Sequence, residues 1–490
     1  MSPFFTRKSL ADLQAEAERG LLKRSLGPLN LTALGIGSII GTGIFVLTGT
    51  AASQNSGPAL VLSMIISAIG CAFSGLCYAE FAAMVPVAGS AYTYAYATVG
   101  ELAAWIIGWD LILEYALSTS TVAVGWSGYL VSLAKDVGLP IPVSLTGPPG
   151  AALIGADGLA ASGVFNLPAA LIVLVVAALL VIGIKQSADT NTLLVVIKTM
   201  VLVVFVVAGA SYVRRENLTP FIPPNTDGFG HFGWSGVLRG AGVMFFAYIG
   251  FDAVSTAEQE AKNPARDMPI GILGSLAICT VIYVLVAIVL LGIVPYQQLM
   301  VADPLAVGID ATGLRWLSPV IKVAALFGLF STMLVTLLAQ TRIFFSMSRD
   351  GLLPPVFGRV HPRFRTPYLS TMLTATIIAL VAGLTPIDVL GQLVSIGTLL
   401  AFVLVSIGIV VLRRKQPDLP RPFRTPWVPF VPIAGGVICF AQMVGLPLAT
   451  WQRLFIWLAV GLVVYLTYSH RHALAGRRAE LYPSTKLGMS

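Results

Sequence analysis

The sequence predicts an all-α integral membrane protein of about twelve transmembrane helices, and composition, apolar run length and charge placement together predict it. Of 490 residues, 56% are hydrophobic and 11% charged, against roughly 25% charged in an ordinary soluble domain. The mean hydropathy is +0.86. Apolar runs long enough to cross about 30 Å of hydrocarbon recur at 30–52, 58–85, 99–130, 166–184, 190–213, 235–258, 268–294, 318–347, 368–384, 388–412, 428–447 and 451–469.

The residues before Leu29 are polar and basic, without an apolar core or a small-residue cleavage site, so the first span itself is expected to direct insertion. Within them Leu10, Leu13, Ala17 and Leu21 fall at helical spacing, which suits either a surface-lying amphipathic helix or a solvated tail. Arg7, Lys8, Arg19, Lys23, Arg24, Lys185, Lys262, Arg266, the cluster Arg349 to Arg365, the cluster Arg413 to Arg424 and the tail all fall on one side of the spans. Lys135, Arg214, Arg215, Arg315 and Arg453 fall on the other. The excess marks its side as cytoplasmic, with both termini inside a plasma-membrane protein. It also accounts for the net charge of +8 without a nucleic-acid partner, because the charge is spread over loops.

Cys71, Cys77, Cys279 and Cys439 lie inside spans, where a thiol behaves as a small apolar group. Neither disulfide nor metal spacing occurs, so no metal or other cofactor is expected. The histidines at 231, 361, 470 and 472 fall in loops or the tail, which argues against a histidine proton relay within the membrane.

The first span carries glycines at 35, 37, 41 and 43, each costing about 1 kcal/mol against alanine in a helix. Gly37 and Gly41 form a GxxxG packing pair, yet Gly35 and Gly37 point about 200° apart on a helix, so one packing face does not use both. The alternative is an interrupted helix, tolerated at membrane depth only where protein or a cavity satisfies the freed backbone groups. Such breaks come in pairs in inverted-repeat transporters, one per half. A second candidate is VMFFAYIGFDAVSTAEQE at 243–260, with Gly250 near its middle. The reading divides the chain into a cytoplasmic segment 1–28, a first repeat 29–213, a second repeat 214–412, two appended spans in 413–470 and a tail 471–490.

GIGSIIGTGIF, FFAYIGFDAVST, KNPARDMPIG and QTRIFFSMSRDGLLP, in this order on these spans, closely resemble the amino acid, polyamine and organocation (APC) transporter superfamily, and within it the bacterial relatives of the cationic amino acid transporters. The resemblance runs from about residue 25 to 470. It implies a LeuT-like five-plus-five inverted repeat with helices 1 and 6 discontinuous. It further implies a proton-coupled symporter that imports L-amino acids, cationic and/or small neutral, by alternating access. The partners implied are the amino acid, membrane lipid and a small single-helix accessory subunit.

Lys198, in LLVVIKTMVLVV, lies about two turns inside the fifth span, where insertion costs about 2.5 to 3.5 kcal/mol. A snorkelling lysine is the bland alternative, but desolvation eases proton loss from an amine. The resemblance places this ammonium where sodium-coupled relatives hold their ion, near the backbone around Gly37 and near the eighth span. Asp110 and Glu114 are four apart and share one helix face; Asp110 reads as structural, and the resemblance turns Glu114 towards substrate. Asp252 is either a loop-bonding residue at the second break or, by resemblance, a proton-sensitive gate. Glu80, Arg342, Arg349 and Asp350 read as structural.

By the same carry-over, the substrate carboxylate accepts from the N–H groups of Thr42 and Gly43, with the Thr42 hydroxyl as a further donor. The substrate ammonium donates to the carbonyls of Ile39, Phe246 and Ile249, and Gly41 and Ala247 complete the candidate set. Phe246 or Tyr248 is the aromatic lid, with core packing the alternative for both, and Thr332 and Thr336 are cavity-lining candidates. Within transport, an exchanger or a facilitator of neutral amino acids stays open. A membrane-embedded enzyme would call for a nucleophile and base at one membrane surface, and the sequence offers none; a non-transporting sensor would call for longer cytoplasmic extensions. The 131–165 stretch reads as an external loop.

Overall fold

The computed structural model describes residues 26–84, 92, 95–96, 100–139, 141–154, 160–183, 188–225, 227–251, 254, 261–364 and 366–472. Asp252 and the 9–22 segment lie outside them. The main helices are α1 (Pro28–Ile39), α2 (Leu60–Met84), α3 (Glu101–Asp136), α4 (Leu167–Ile182), α5 (Ala188–Gly209), α6 (Gly233–Met244), α7 (Pro264–Ile293), α8 (Pro304–Ala311), α9 (Leu317–Arg349), α10 (Tyr368–Leu384), α11 (Ile387–Lys415), α12 (Phe430–Gly445) and α13 (Leu448–Val464). Seven described helical stretches are long and apolar enough to cross a membrane, and α1, α4, α10 and α12 are shorter apolar helices.

The helices sort into two groups by what they pack on. α1, α2, α6 and α7 pack on one another, and α3, α4, α9 and α10 form a second set; α5 and α11 lie against both. Large buried side chains hold the seams, among them Phe251, which meets Tyr78 and Phe402 edge-on at 5.9 and 5.1 Å. α13 is held to α3 by a reciprocal indole pair: Trp109 donates to the Trp457 carbonyl and Trp457 to the Trp109 carbonyl, at 2.9 and 3.0 Å.

Two stretches of the expected external loop at 131–165 are regular. α3 continues to Asp136, and Ala152–Ile154 (β1) pairs antiparallel with Ala160–Ser162 (β2), Leu153 opposite Ala161. α8 lies in the connection between α7 and α9 and has no counterpart among the expected spans. Glu80, wholly buried at the end of α2, takes a two-pronged bond from Arg413 at 2.8 and 2.9 Å, a contact from Arg421 at 3.3 Å and the N–H of Thr425 at 2.7 Å. This ties α2 to α11 and the loop after it.

Candidate functional site

The first span is interrupted. α1 ends at Ile39, and Ile40 turns to extended geometry (φ −70°, ψ 102°). The helical ladder runs to Ile40 N–H on the Ile36 carbonyl at 2.9 Å and resumes at Phe45 N–H on the Gly41 carbonyl at 3.2 Å. Between them the N–H groups of Gly41, Thr42, Gly43 and Ile44 make no backbone hydrogen bond among the described residues. The chain then continues through a π-helical turn, Gly43–Leu47.

Freed carbonyls around the break are taken by side chains from other helices, as buried backbone groups require. Lys198 Nζ donates to the Gly37 carbonyl, which an unbroken helix would give to Gly41. The hydroxyl of Tyr283 on α7 donates to the Ile39 carbonyl at 2.9 Å, in place of Gly43. Tyr129 on α3 donates to the Phe45 carbonyl at 2.7 Å.

The sixth span breaks too. α6 ends at Met244, a 3-10 turn covers Phe245–Tyr248, Ile249 is extended (ψ 140°) and Gly250 has φ 114°. A side chain at Gly250 would lie 2.6 Å from the Ser38 carbonyl oxygen, so the two breaks press backbone to backbone. The glycines of the first span do not share one packing face. A Cβ on Gly35 would meet Ser275 of α7 at 2.4 Å, on Gly37 Val195 of α5 at 2.4 Å, on Gly41 Thr332 of α9 at 3.1 Å and on Gly43 the Cα of Ala247 at 2.2 Å. The bare backbone therefore lets four neighbours approach from different sides.

Between the breaks lies a cavity of about 70 Å³ at the seam between the two helix groups. Of the expected residues, Ile39, Gly41, Thr42, Gly43, Glu114, Phe246 and Ile249 line it, and Ser118, Thr332, Val335, Thr336 and Ala339 complete its far wall. Ala247 packs on Gly43 instead of lining the cavity. Tyr248 is not at the cavity and meets Tyr283 in a tilted ring contact at 5.6 Å, which leaves Phe246 as the lid candidate that lines it. The Thr42 hydroxyl is buried and has no hydrogen-bond partner among the described residues. Thr332 and Thr336 bond carbonyls of their own helix at 3.0 and 3.1 Å. Asp110 is buried with both oxygens unbonded, against Gly397 of α11, so the pairing expected of a structural aspartate is absent among the described residues. The space left by the missing Cβ of Gly397 accommodates it.

Towards the α8 face, the pathway above the cavity is filled. Val46 sits where a Cβ of Gly125 would be, Leu47 where one of Gly391 would be, and Ala302 where one of Gly128 would be. There Lys322 of α9, wholly buried, bonds Asp136 at 2.6 Å and Asp310 at 2.9 Å. Sequence reasoning passed over Lys322, although a lysine in SPVIKVAALFG breaks an apolar run much as Lys198 does. It also passed over Tyr129 and Tyr283, whose partners lie 84 and 244 residues away.

The Amino acid permease family model matches residues 26–465. The chain is 45% identical to the methylthioribose transporter of Bacillus subtilis (strain 168) over 97% of its own length and all of the relative. It is 46% identical to the branched-chain amino acid permease BcaP of the same organism, over 96% of this chain and 98% of that one. It is 37% identical to the vacuolar cationic amino acid transporter 4 of Arabidopsis thaliana, over 81% of this chain and 64% of that one. With its interrupted spans, its apolar helices and these relatives, the chain is a multi-pass membrane permease, not an enzyme, and belongs to the amino acid permease family of the APC superfamily.

Proposed function

We propose that this protein is a proton-coupled symporter that imports L-amino acids by alternating access, and that the unbonded amides at Gly41–Ile44 carry this reading. They form a ready donor set for a carboxylate. The substrate carboxylate accepts from the N–H groups of Thr42 and Gly43, and the free Thr42 hydroxyl adds a third donor. The substrate ammonium donates to the carbonyls of Ile39, Phe246 and Ile249; a carbonyl oxygen has two lone pairs, so Ile39 can accept it alongside Tyr283. Phe246 closes over the bound molecule, and the substrate's side chain lies in the part of the cavity lined by Ser118, Val335, Thr336, Ala339 and Glu114.

Lys198 couples the proton. Its charged ammonium holds the Gly37 carbonyl, and proton loss weakens that tether by removing charge assistance. The half-helix is then free to turn and the group of α1, α2, α6 and α7 to rock against that of α3, α4, α9 and α10. Asp252, at the second break, serves as a further proton-sensitive group. Twelve spans, five plus five inverted repeats at 29–213 and 214–412, a plasma-membrane location and both termini in the cytoplasm complete the reading, as does a small single-helix accessory subunit. On this orientation the cavity is shut from outside.

Substrates are cationic and/or small neutral amino acids. The neutral reading, with exchange or facilitation as its variants, is favoured by the apolar wall of Val335, Ala339, Phe246 and Ile249 and by relatives named for branched-chain amino acids and methylthioribose. Uptake of radiolabelled arginine, lysine, alanine and leucine into proteoliposomes, with and without an inward proton gradient, tests both. Gradient-driven accumulation of any of them supports symport, and equal uptake with and without the gradient rejects it.

A further inference from the structure

The end of α11 and the turn into α12 carry Arg413, Arg414, Lys415, Arg421 and Arg424, and the buried Glu80 of α2 divides these cations into two kinds. Arg413 grips Glu80 with both prongs, and Arg421 lies 3.3 Å from the same carboxylate. Arg421 also donates to the carbonyls of Gln416, Pro417 and Leu419 at 2.6, 2.9 and 2.8 Å, so the turn is wound around its guanidinium. The Thr425 hydroxyl bonds the Leu76 carbonyl at 3.1 Å. The turn is thus a fixed platform on α2. Arg414, Lys415 and Arg424 are left over: all three are exposed and enter no ion pair among the described residues. Asp418 is the one carboxylate on the turn, which leaves its exposed face positive.

Three residues after Arg424 stands Trp427, 80% exposed and with φ 47°. A left-handed backbone strains any side chain and is free for glycine, so an indole is held here against a cost. Its place is fixed, because the Trp427 carbonyl accepts from the Val431 N–H at 3.3 Å in the first turn of α12. Three residues further on an apolar stripe begins: Phe430, Ile433, Val437 and Phe440 are 51 to 63% exposed and recur at helical spacing. In a bilayer such a stripe meets acyl chains and an indole sits at headgroup level. Cations left over at that level meet phosphate.

We propose that residues 414–430 bind an anionic phospholipid, its phosphate on Arg414, Lys415 and Arg424 and its acyl chains along the α12 stripe beside Trp427. The leaflet is the cytoplasmic one, which rests on the orientation proposed for the chain; the headgroup chemistry does not. Three exposed cations face one carboxylate, so a zwitterionic lipid would bring its ammonium to a turn that is already positive. The turn is wound before the lipid arrives, so little ordering cost falls on binding. Free phosphate shares the headgroup chemistry but gains nothing from the indole or the stripe. Through Glu80 the occupied turn bears directly on α2, a member of the group that rocks.

The test is tryptophan fluorescence in proteoliposomes that contain brominated lipid, whose bromines quench an indole they touch. The Trp427 signal is the difference between the parent and Trp427→Phe. Its quenching should show a selectivity of about tenfold for brominated phosphatidylglycerol over brominated phosphatidylcholine, most of it erased by about 0.5 M salt. Arg414→Gln, Lys415→Gln and Arg424→Gln together should remove the selectivity. Equal quenching by the two lipids in the parent overturns the site, as does a preference that survives salt or the triple variant. Displacement by about 1 mM inorganic phosphate, too dilute to screen, overturns the lipid as occupant. Orientation is read separately, with a membrane-impermeant maleimide on Pro420→Cys, an exposed position in a chain whose four native thiols are buried. It should label inside-out vesicles and spare intact cells. Labelling of intact cells overturns the orientation and the leaflet while headgroup selectivity stands; lost selectivity with intact cells spared overturns the lipid site alone.

Discussion

Among the described residues two lysines are buried, and their surroundings differ in kind. Lys198 is met by a neutral backbone carbonyl beside a helix break, while Lys322 is met by two carboxylates from α3 and α8. Taking the proton from Lys198 leaves a neutral amine that still donates to the carbonyl, only without charge assistance. Taking the charge from Lys322 leaves two solvent-open carboxylates facing each other and undoes the tie between α3 and α8. The first arrangement suits a group that changes state in a cycle; the second suits a fixed clasp.

The largest expected effect comes from Lys198→Met. It should abolish uptake driven by a pH gradient, by about 100-fold or more, a range open to the loss of a buried charge with its proton. Retained gradient-driven accumulation would erase the contrast between the two lysines. Next is Lys322→Met, which removes a wholly buried ammonium and leaves Asp136 and Asp310, both open to solvent, without their shared cation; it should lower stability by about 1 kcal/mol. The comparison sharpens if adding Asp136→Asn and Asp310→Asn recovers most of that loss in a thermal melt, and it breaks if the triple variant melts lower still.

Gly43→Ala should rank below Lys198→Met but still eliminate measurable substrate binding, since its methyl group would lie 2.2 Å from a backbone atom. Gly41→Ala meets only the Thr332 side chain at 3.1 Å, which can yield. Calorimetric titration should find binding weakened in the second variant and absent in the first; the reverse order would mean that the breaks do not press on each other as described. The smallest effect is expected for Tyr283→Phe, which deletes one hydrogen bond to Ile39. At about 1 kcal/mol this amounts to roughly a fivefold change in substrate affinity.

Much of the site could be read from local signals. Four glycines in nine residues announced the first break, and Gly250 among aromatics announced the second, because backbone freedom is written in residue type. The span limits were legible from apolar run length, to within a few residues at most ends. What escaped has a common cause. The surrogate donors Tyr129 and Tyr283, and the cluster of Glu101 with Tyr465 and His470 at 2.9 and 3.3 Å, depend on residues far apart in the chain. No periodicity encodes such meetings. α8 escaped because a helix of eight residues between two long apolar spans is too short to stand out by pattern. Lys322 was hidden by its place near the end of a span, where snorkelling is the ordinary expectation.

The three donors that replace the lost ladder belong to α5, α7 and α3. α7 packs on the half-helix it serves, whereas α3 belongs to the opposing set. A rigid rotation of one set against the other can therefore keep the Tyr283 mooring but has to strain or release that of Tyr129. The order in which the tethers part would then decide which side of the membrane first gains access to the ligand.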